Sequence, residues 1–350
     1  MTETVVEKEL VKEKLTDNFV YMEDTKKILD VALKTEKNVI LYGPGGYAKS
    51  DYSLCFCRDH GIEPYVFTMG SGTTTDRLFG GINLPTFNEH GKIEYLVENS
   101  FMNHPVVIFE ELLDAPDFIL EQLKDILSSG VFRNGTQIFE IKTRVIIACT
   151  NKTREEFSKN NSLKALMERF PLELEVKWNQ HNRITYENLL NKKLGFADPL
   201  LSYVLEQFAV AGVKISPRIA IEAAEVLDQC GPECLDFIAD FKSKPEILKQ
   251  AVSKFQGMIE VENIRKELGT FAKEFASLDL SNSEGLAEGV KVNAKIFTTV
   301  SKLKVIKADD SVIQTTTELI KTFTKQYDTN KKNLELLASQ SPVVKEDSSF

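Results

Sequence analysis

The chain has 350 residues, 42% of them hydrophobic and 27% charged, enough apolar material for a sizeable core and for division into two or three domains. A formal net charge of -9 argues against wholesale attraction to nucleic acid or to anionic membranes, so neither is expected as a partner. The start MTETVVEKELVKEKL lacks the apolar run of a signal peptide and nothing later reaches membrane-spanning length, so a cytoplasmic location is expected. There Cys55, Cys57, Cys149, Cys230 and Cys234 should stay reduced; Cys230 and Cys234 have no second Cys or His pair at ligand spacing and are read as free thiols.

In chain order, Asn38-Val39-Ile40-Leu41-Tyr42 is a short apolar run that ends in a glycine cluster, and Ser50 to Asp59 then reads as helix. Further buried strands are predicted at Tyr65–Thr68, Val106–Phe109, Arg144–Ala148 and Leu172–Val176, with helices between most of them, notably Pro116 to Ser128. Strands alternating with helices predict a parallel α/β sheet covered on both faces, a first domain running to about Trp178. Leu84 to Tyr95 reads as two short extended arms around a turn at His90-Gly91, a hairpin inserted in the α/β layer. From Asn182 to Leu235 the apolar spacing is helical, and Ser216-Pro217-Arg218 opens one helix in N-cap then Pro order. Residues 179–240 are therefore read as a small all-helical domain. Beyond it, Ile264, Leu268, Phe271 and Phe275, and again Ile313, Ile320, Phe323 and Tyr327, follow three-four spacing, which predicts a helical region over 241–338. The polar stretch 339–350 is expected to be disordered.

The stretch Gly43-Pro44-Gly45-Gly46-Tyr47-Ala48-Lys49-Ser50 nearly spells G-x-x-x-x-G-K-[ST], with Ala48 at the place of the second glycine. In such a loop, backbone N–H groups and a helix N-terminus converge on phosphate, the lysine reaches the outer phosphates and the hydroxyl coordinates magnesium. Gly43, Gly45 and Gly46 supply the freedom for a tight turn, and Ala48 is expected where the helix begins, without need of a positive φ. The plain alternative is a Gly-rich strand-to-helix turn beside a solvated lysine. Val106 to Glu111 places two carboxylates at the tip of a buried strand: Glu110 suits a cation's water shell and Glu111 suits polarising a water, although two acids that open a helix look the same in sequence. Glu110 is one methylene longer than the aspartate usual there. Asn151 ends the run that begins at Arg144 and carries an amide able to orient the same water, although a lone Asn at a strand end is more often a turn residue. Arg169 has the chemistry to reach a neighbouring subunit's phosphate and Arg218 to reach it from the helical domain, against the plainer reading of surface salt bridges.

The order GPGGYAKS, VVIFEE, ACTN, ALMERF and SPR resembles the AAA+ ATPases, and within them the MoxR-like group, particularly its RavA-type branch, over roughly residues 15–235. Gly72 to Gly81 and Phe132-Arg133-Asn134-Gly135 are similar to further family stretches, and the segment 84–95 to the insertion in helix 2 of the larger clade. The resemblance implies a P-loop NTPase sheet core with that insert, an all-helical lid and further C-terminal helices. It also implies a homohexameric ring with ATP and Mg2+ at subunit interfaces. Gly43 through Asp51 would hold the nucleotide, with Lys49 and Ser50 on phosphate and magnesium. Glu110 would support the metal, Glu111 activate water, Asn151 serve as sensor 1, Arg169 as the finger in trans and Arg218 as sensor 2. The expected function is an ATP-hydrolysing motor that remodels or assembles a client protein. A von Willebrand A partner would be a separate protein, as such partners often are in this family. Two other classes remain open: a nucleotide-gated assembly protein that hydrolyses slowly because of Glu110, and a DNA-acting ring, which the acidic balance disfavours.

Overall fold

The computed structural model describes residues 14–158, 161–178, 180–279 and 283–303, with a few isolated positions between 321 and 336. It divides into two compact units, one ending at Asp240 and one beginning at Phe241.

In the first unit, α1 (Glu23–Thr35) leads into β1 (Val39–Tyr42), α2 (Lys49–Asp59) and β2 (Tyr65–Thr68). Helix α3 (Thr75–Phe79), strand β3 (Gly81–Ile82), helix α4 (Leu84–His90) and strand β4 (Tyr95–Leu96) form a small excursion before β5 (Val106–Glu110). Helix α5 (Asp117–Ser129) and the ribbon β6 (Val131–Asn134) with β7 (Gln137–Glu140) lead to β8 (Val145–Thr150). Helices α6 (Arg154–Ser158) and α7 (Asn161–Met167) precede β9 (Leu172–Glu175). Five strands form one sheet in the order β2-β5-β8-β1-β9, and every pair in it is parallel. The apolar runs predicted as strands are all present.

Side chains of a strand alternate between faces, and here both faces are buried. Ile40, Val107, Phe109, Ile146 and Ala148 enter one core with Leu120 and Leu123 of α5. Their neighbours Val39, Leu41, Ile108, Val145 and Ile147 enter the other, with Leu29 of α1 and Phe56 of α2. Because helices cover both faces, the strand tips are the place where polar side chains meet solvent.

The insert differs from the expected hairpin. Its first arm is the helix α4: Asn83 accepts a hydrogen bond from the Thr86 N–H, Pro85 sits in the first turn, and Gly91 closes the helix in the left-handed region. An N-cap side chain followed by proline and ended by glycine specifies a helix, and this local chemistry prevails over the extended reading. The only extended pairing in the insert is the two-residue ribbon of β3 and β4 that brackets α4.

Three helices follow β9: α8 (Arg183–Leu194), α9 (Pro199–Val210) and α10 (Pro217–Cys230). Each opens on a side-chain cap, from Asn182, Asp198 and Ser216 respectively. The division between the units falls within the short helix α11 (Ala239–Lys242).

The second unit contains α12 (Pro245–Ala276) and α13 (Ser283–Leu303). Val261, Ile264 and Leu268 of α12 pack on Val292 and Ile296 of α13, with Phe271 and Phe275 against them. Lys295 lies 3.5 Å from Glu274 and Lys302 4.0 Å from Glu267, so the helices run antiparallel. The first apolar set predicted for this region thus buries as one stripe. The second set, Ile313, Ile320, Phe323 and Tyr327, and the stretch 339–350 lie outside the described residues.

Candidate functional site

At the tips of β1, β5 and β8 a polar cavity of about 220 Å³ is lined by Gly45 through Asp51, with Thr68, Glu110, Glu111, Cys149, Asn151 and Arg218. One place thus gathers residues from Gly45 to Arg218. Gly43 and Pro44 form the base of the loop behind the cavity, and their carbonyl oxygens face Lys49.

The loop owes its shape to two glycines. Gly43 has φ +136° and a Cβ there would lie 2.6 Å from the Val176 carbonyl oxygen; Gly46 has φ +78° and a Cβ there would lie 2.8 Å from Ser216 Oγ. Gly45 has neither a positive φ nor a close neighbour, so its backbone freedom is not required. Ala48 departs from expectation: it caps α2 in the left-handed region, with φ 56° and ψ 23°. The loop geometry demands a glycine-like conformation there, and the alanine adopts it with strain.

Lys49 is buried, and its three ammonium donors are all spent, on the carbonyls of Gly43 and Pro44 and on Asn151 Oδ1, each at 2.8 Å. Burial lowers its pKa below the ordinary lysine value, and the negative Glu111 opposes that shift in part. Asn151 turns its amide the other way to Glu111, with Nδ2 2.5 Å from Oε1. The amide oxygen meets the cation and the amide nitrogen meets the anion, so the three side chains form one charge-matched relay.

Glu110 closes β5, whereas Glu111 has left the strand. With φ 48° it turns the chain into a short 3-10 segment, which swings its carboxylate toward Asn151. Four described non-glycine residues have a positive φ, namely Tyr21, Glu36, Ala48 and Glu111, and all but Glu36 line this cavity or the one beside it. Strain of this kind persists where the surrounding structure over-determines it, which occurs mostly at functional sites.

The second cavity, about 240 Å³ and mainly apolar, was not foreseen from sequence. Phe19, Tyr21, Met22, Val176, Trp178 and Ile221 are among its walls, and it shares Gly46, Tyr47, Ala48, Asp51 and Arg218 with the polar cavity. Tyr21 and Trp178 pack edge to face at 5.3 Å, and Asn188 of α8 donates to the Tyr21 hydroxyl at 2.9 Å. The available signal was the apolar run Phe19-Val20-Tyr21-Met22 just ahead of α1, too short for an element of its own. Thr68 and Cys149 were also missed, since nothing in the sequence pairs them with the acids.

Arg218, exposed at the start of α10, borders both cavities, and its backbone N–H donates to the Gly46 carbonyl at 3.3 Å. Arg169 borders neither. Its guanidinium bonds Ser128 Oγ, the Ala165 carbonyl and Glu168.

The donors at the polar cavity suit a small hard cation. Ser50 offers a hydroxyl and Glu110 and Glu111 offer carboxylates, whereas no cluster of three or more His, Cys, Asp or Glu is placed to hold a metal among the described residues. Magnesium is bound in this manner, by one or two carboxylates completed by water and phosphate. Gly43 and Gly46 let the loop pack tightly on Val176 and Ser216, and the polar cavity beside the loop is the space open to phosphate oxygens.

A parallel sheet in this strand order, with a phosphate-type loop after β1 and paired acids at the tip of β5, defines a P-loop NTPase core of the AAA+ class. Residues 6–196, more than half of the chain, match the family described as "MoxR domain in the MoxR-vWA-beta-propeller ternary systems", and the chain belongs to it. Among solved structures it is similar to NtrX from Brucella abortus, at 16% identity over 82% of this chain and 70% of that one, with TM-score 0.44. It is also similar to a RuvB variant from Thermotoga maritima, at 16% identity over 82% and 87%, with TM-score 0.43. A protein from Cytophaga hutchinsonii is similar at 12% identity over 67% and 81%, with TM-score 0.36. Among the described residues no helix is long and apolar enough to cross a membrane.

Proposed function

We propose that the chain is a magnesium-dependent ATPase whose turnover drives remodelling or assembly of a partner protein. The observation that carries this is the Lys49–Asn151–Glu111 relay at the mouth of a glycine-framed polar cavity, with an apolar cavity adjoining it. The apolar cavity suits the base and the polar one the phosphates, and the loop residues they share would lie under the sugar and the first phosphate. Lys49 would exchange one of its internal acceptors for a phosphate oxygen and neutralise charge there. Glu111 would accept the proton of the attacking water, and Asn151 would fix the carboxylate and that water relative to Lys49. Magnesium, held through Ser50 and Glu110, would supply the charge that offsets the triphosphate. Arg218 approaches from α10 as a lid contact. Arg169, which borders neither of the two cavities, would act on the site of a neighbouring copy in a homohexameric ring.

The family's description supports a von Willebrand A protein and a β-propeller protein as the partners on which such a ring acts. Within the family, the Ala48-Lys49-Ser50 ending of the loop supports the RavA-type branch, whereas the matched description is that of the ternary systems.

The test is a phosphate-release assay with a parallel nucleotide-binding measurement. Glu111→Gln should lower turnover about 10²- to 10⁴-fold while keeping ATP bound, and Lys49→Ala should weaken ATP binding itself. Rates for either variant equal to the parent's would refute the proposal. Affinity purification with ATP-loaded Glu111→Gln should retain the client.

A further inference from the structure

Glu110 occupies a place where a shorter acid is usual, and an added methylene brings one more rotatable bond. A flexible carboxylate is a poor support for a cation, which demands near-ideal octahedral geometry. In this fold that freedom is removed from an unassigned direction. Thr68 is the last residue of β2, and the strand register sets it directly beside Glu110, the last residue of β5. Its hydroxyl donates to Glu110 Oε2 at 2.6 Å, a short bond of the kind expected between a hydroxyl and a charged carboxylate. The backbone supports the pairing one residue further, where the Met69 N–H donates to the Glu110 carbonyl at 2.8 Å. Both side chains border the polar cavity.

Resting on the ATPase reading above, we propose that Thr68 is a positioning residue for the cation-supporting acid. By engaging Oε2 it leaves Oε1 of Glu110 as the oxygen turned to the cation's water shell, and it restores to the longer side chain the rigidity that a shorter one has by itself. A neutral hydroxyl does this without cancelling the carboxylate charge, as a lysine or arginine at the same place would. Partners that orient a metal-supporting group in this way typically affect metal affinity by about 10- to 100-fold.

The experiment titrates magnesium into the full chain with a fluorescent ATP analogue, and separately measures binding of the analogue in EDTA. Thr68→Val, which keeps the shape and the β-branch but removes the donor, should raise the magnesium half-saturation about tenfold or more while leaving binding in EDTA and the thermal midpoint near the parent's. Thr68→Ser should behave as the parent. In a Glu110→Asp background, where the shorter acid no longer reaches the hydroxyl, Thr68→Val should have little further effect. An unchanged magnesium half-saturation in Thr68→Val, or an equal loss in the Glu110→Asp background, overturns the inference. A fall in nucleotide binding in EDTA that matches the loss in magnesium would assign Thr68 a structural role in the sheet edge and overturn it as well. A parent chain that shows no magnesium-dependent nucleotide binding overturns the underlying reading and this inference with it.

Discussion

Ala48 shows how a single side chain bears on the site. A left-handed conformation costs an L-residue about 1–2 kcal/mol, and glycine escapes that cost at the expense of about 0.5–1 kcal/mol of unfolded-state entropy. Ala48→Gly should therefore stabilise the chain by roughly 0.5–1 kcal/mol, seen as a raised urea midpoint at unchanged slope; a lowered midpoint would show that the methyl group contributes packing that outweighs the strain. The same residue marks a limit of sequence reading. The loop was recognisable from Gly43, Lys49 and Ser50, but whether position 48 needs a positive φ depends on the path of the loop between β1 and α2. Glu111 teaches a similar lesson: two adjacent acids in a strand would face opposite ways, and only the left-handed turn at the second one brings its carboxylate to Asn151.

At the scale of elements, the loop after β1 and the start of α10 are built against each other. Ser216 caps α10 by accepting from the Ile219 N–H, and its hydroxyl occupies the space a Cβ on Gly46 would need. The Arg218 N–H closes on the Gly46 carbonyl from the same turn. Gly46→Ala should therefore combine backbone strain with displacement of the α10 start, destabilising by about 1–2 kcal/mol and weakening nucleotide binding by more than that loss of stability explains. Calorimetry and a binding titration on one preparation separate the two effects, and an alanine variant with parental stability and affinity would rule out the contact. The S-P-R opening of α10 was legible because an N-cap and a proline act locally. That it abuts the phosphate-type loop was not, since residues 46 and 216 meet only through the fold. The insert went the other way. Its helix α4 carries a plain local signature, and the extended reading failed by giving more weight to His90-Gly91 as a hairpin turn than to Asn83 and Pro85 as a helix start.

For the molecule as a whole, burial sets the response to alkali. Cys57 and Cys149 are each pushed up to about 12 from an ordinary thiol value of 9.0, by burial in both cases, with the Ser50 hydrogen bond partly opposing it at Cys149. A raised pKa means the folded state holds its proton longer than the unfolded chain does. The stabilisation is complete below pH 9 and is lost as pH rises toward 12. Urea midpoints should be level up to about pH 9 and then fall, by roughly 1 kcal/mol per pH unit for each thiol; a midpoint that rises above pH 9 would contradict the buried placement. Assembly gives the second expectation at this scale. Arg169 borders neither the polar nor the apolar cavity, so Arg169→Ala and Glu111→Gln should each be nearly inactive alone, yet an equimolar mixture should regain part of the turnover by forming interfaces with both native groups. Mixtures as inactive as their components would remove Arg169 from any role in trans.

By itself the sequence determined the parallel α/β core, the phosphate-type loop, the acids at the tip of β5 and the helical character of the described residues beyond β9. Each of these is written in short-range signals: apolar runs, glycine placement and helix caps. Tertiary structure alone decided that Lys49, Asn151 and Glu111 share one hydrogen-bonded relay, that Thr68 rather than a charged group holds Glu110, and that an apolar cavity adjoins the polar one. These depend on strand order and register, which bring together residues up to about two hundred positions apart, and no local pattern encodes a distance across a sheet.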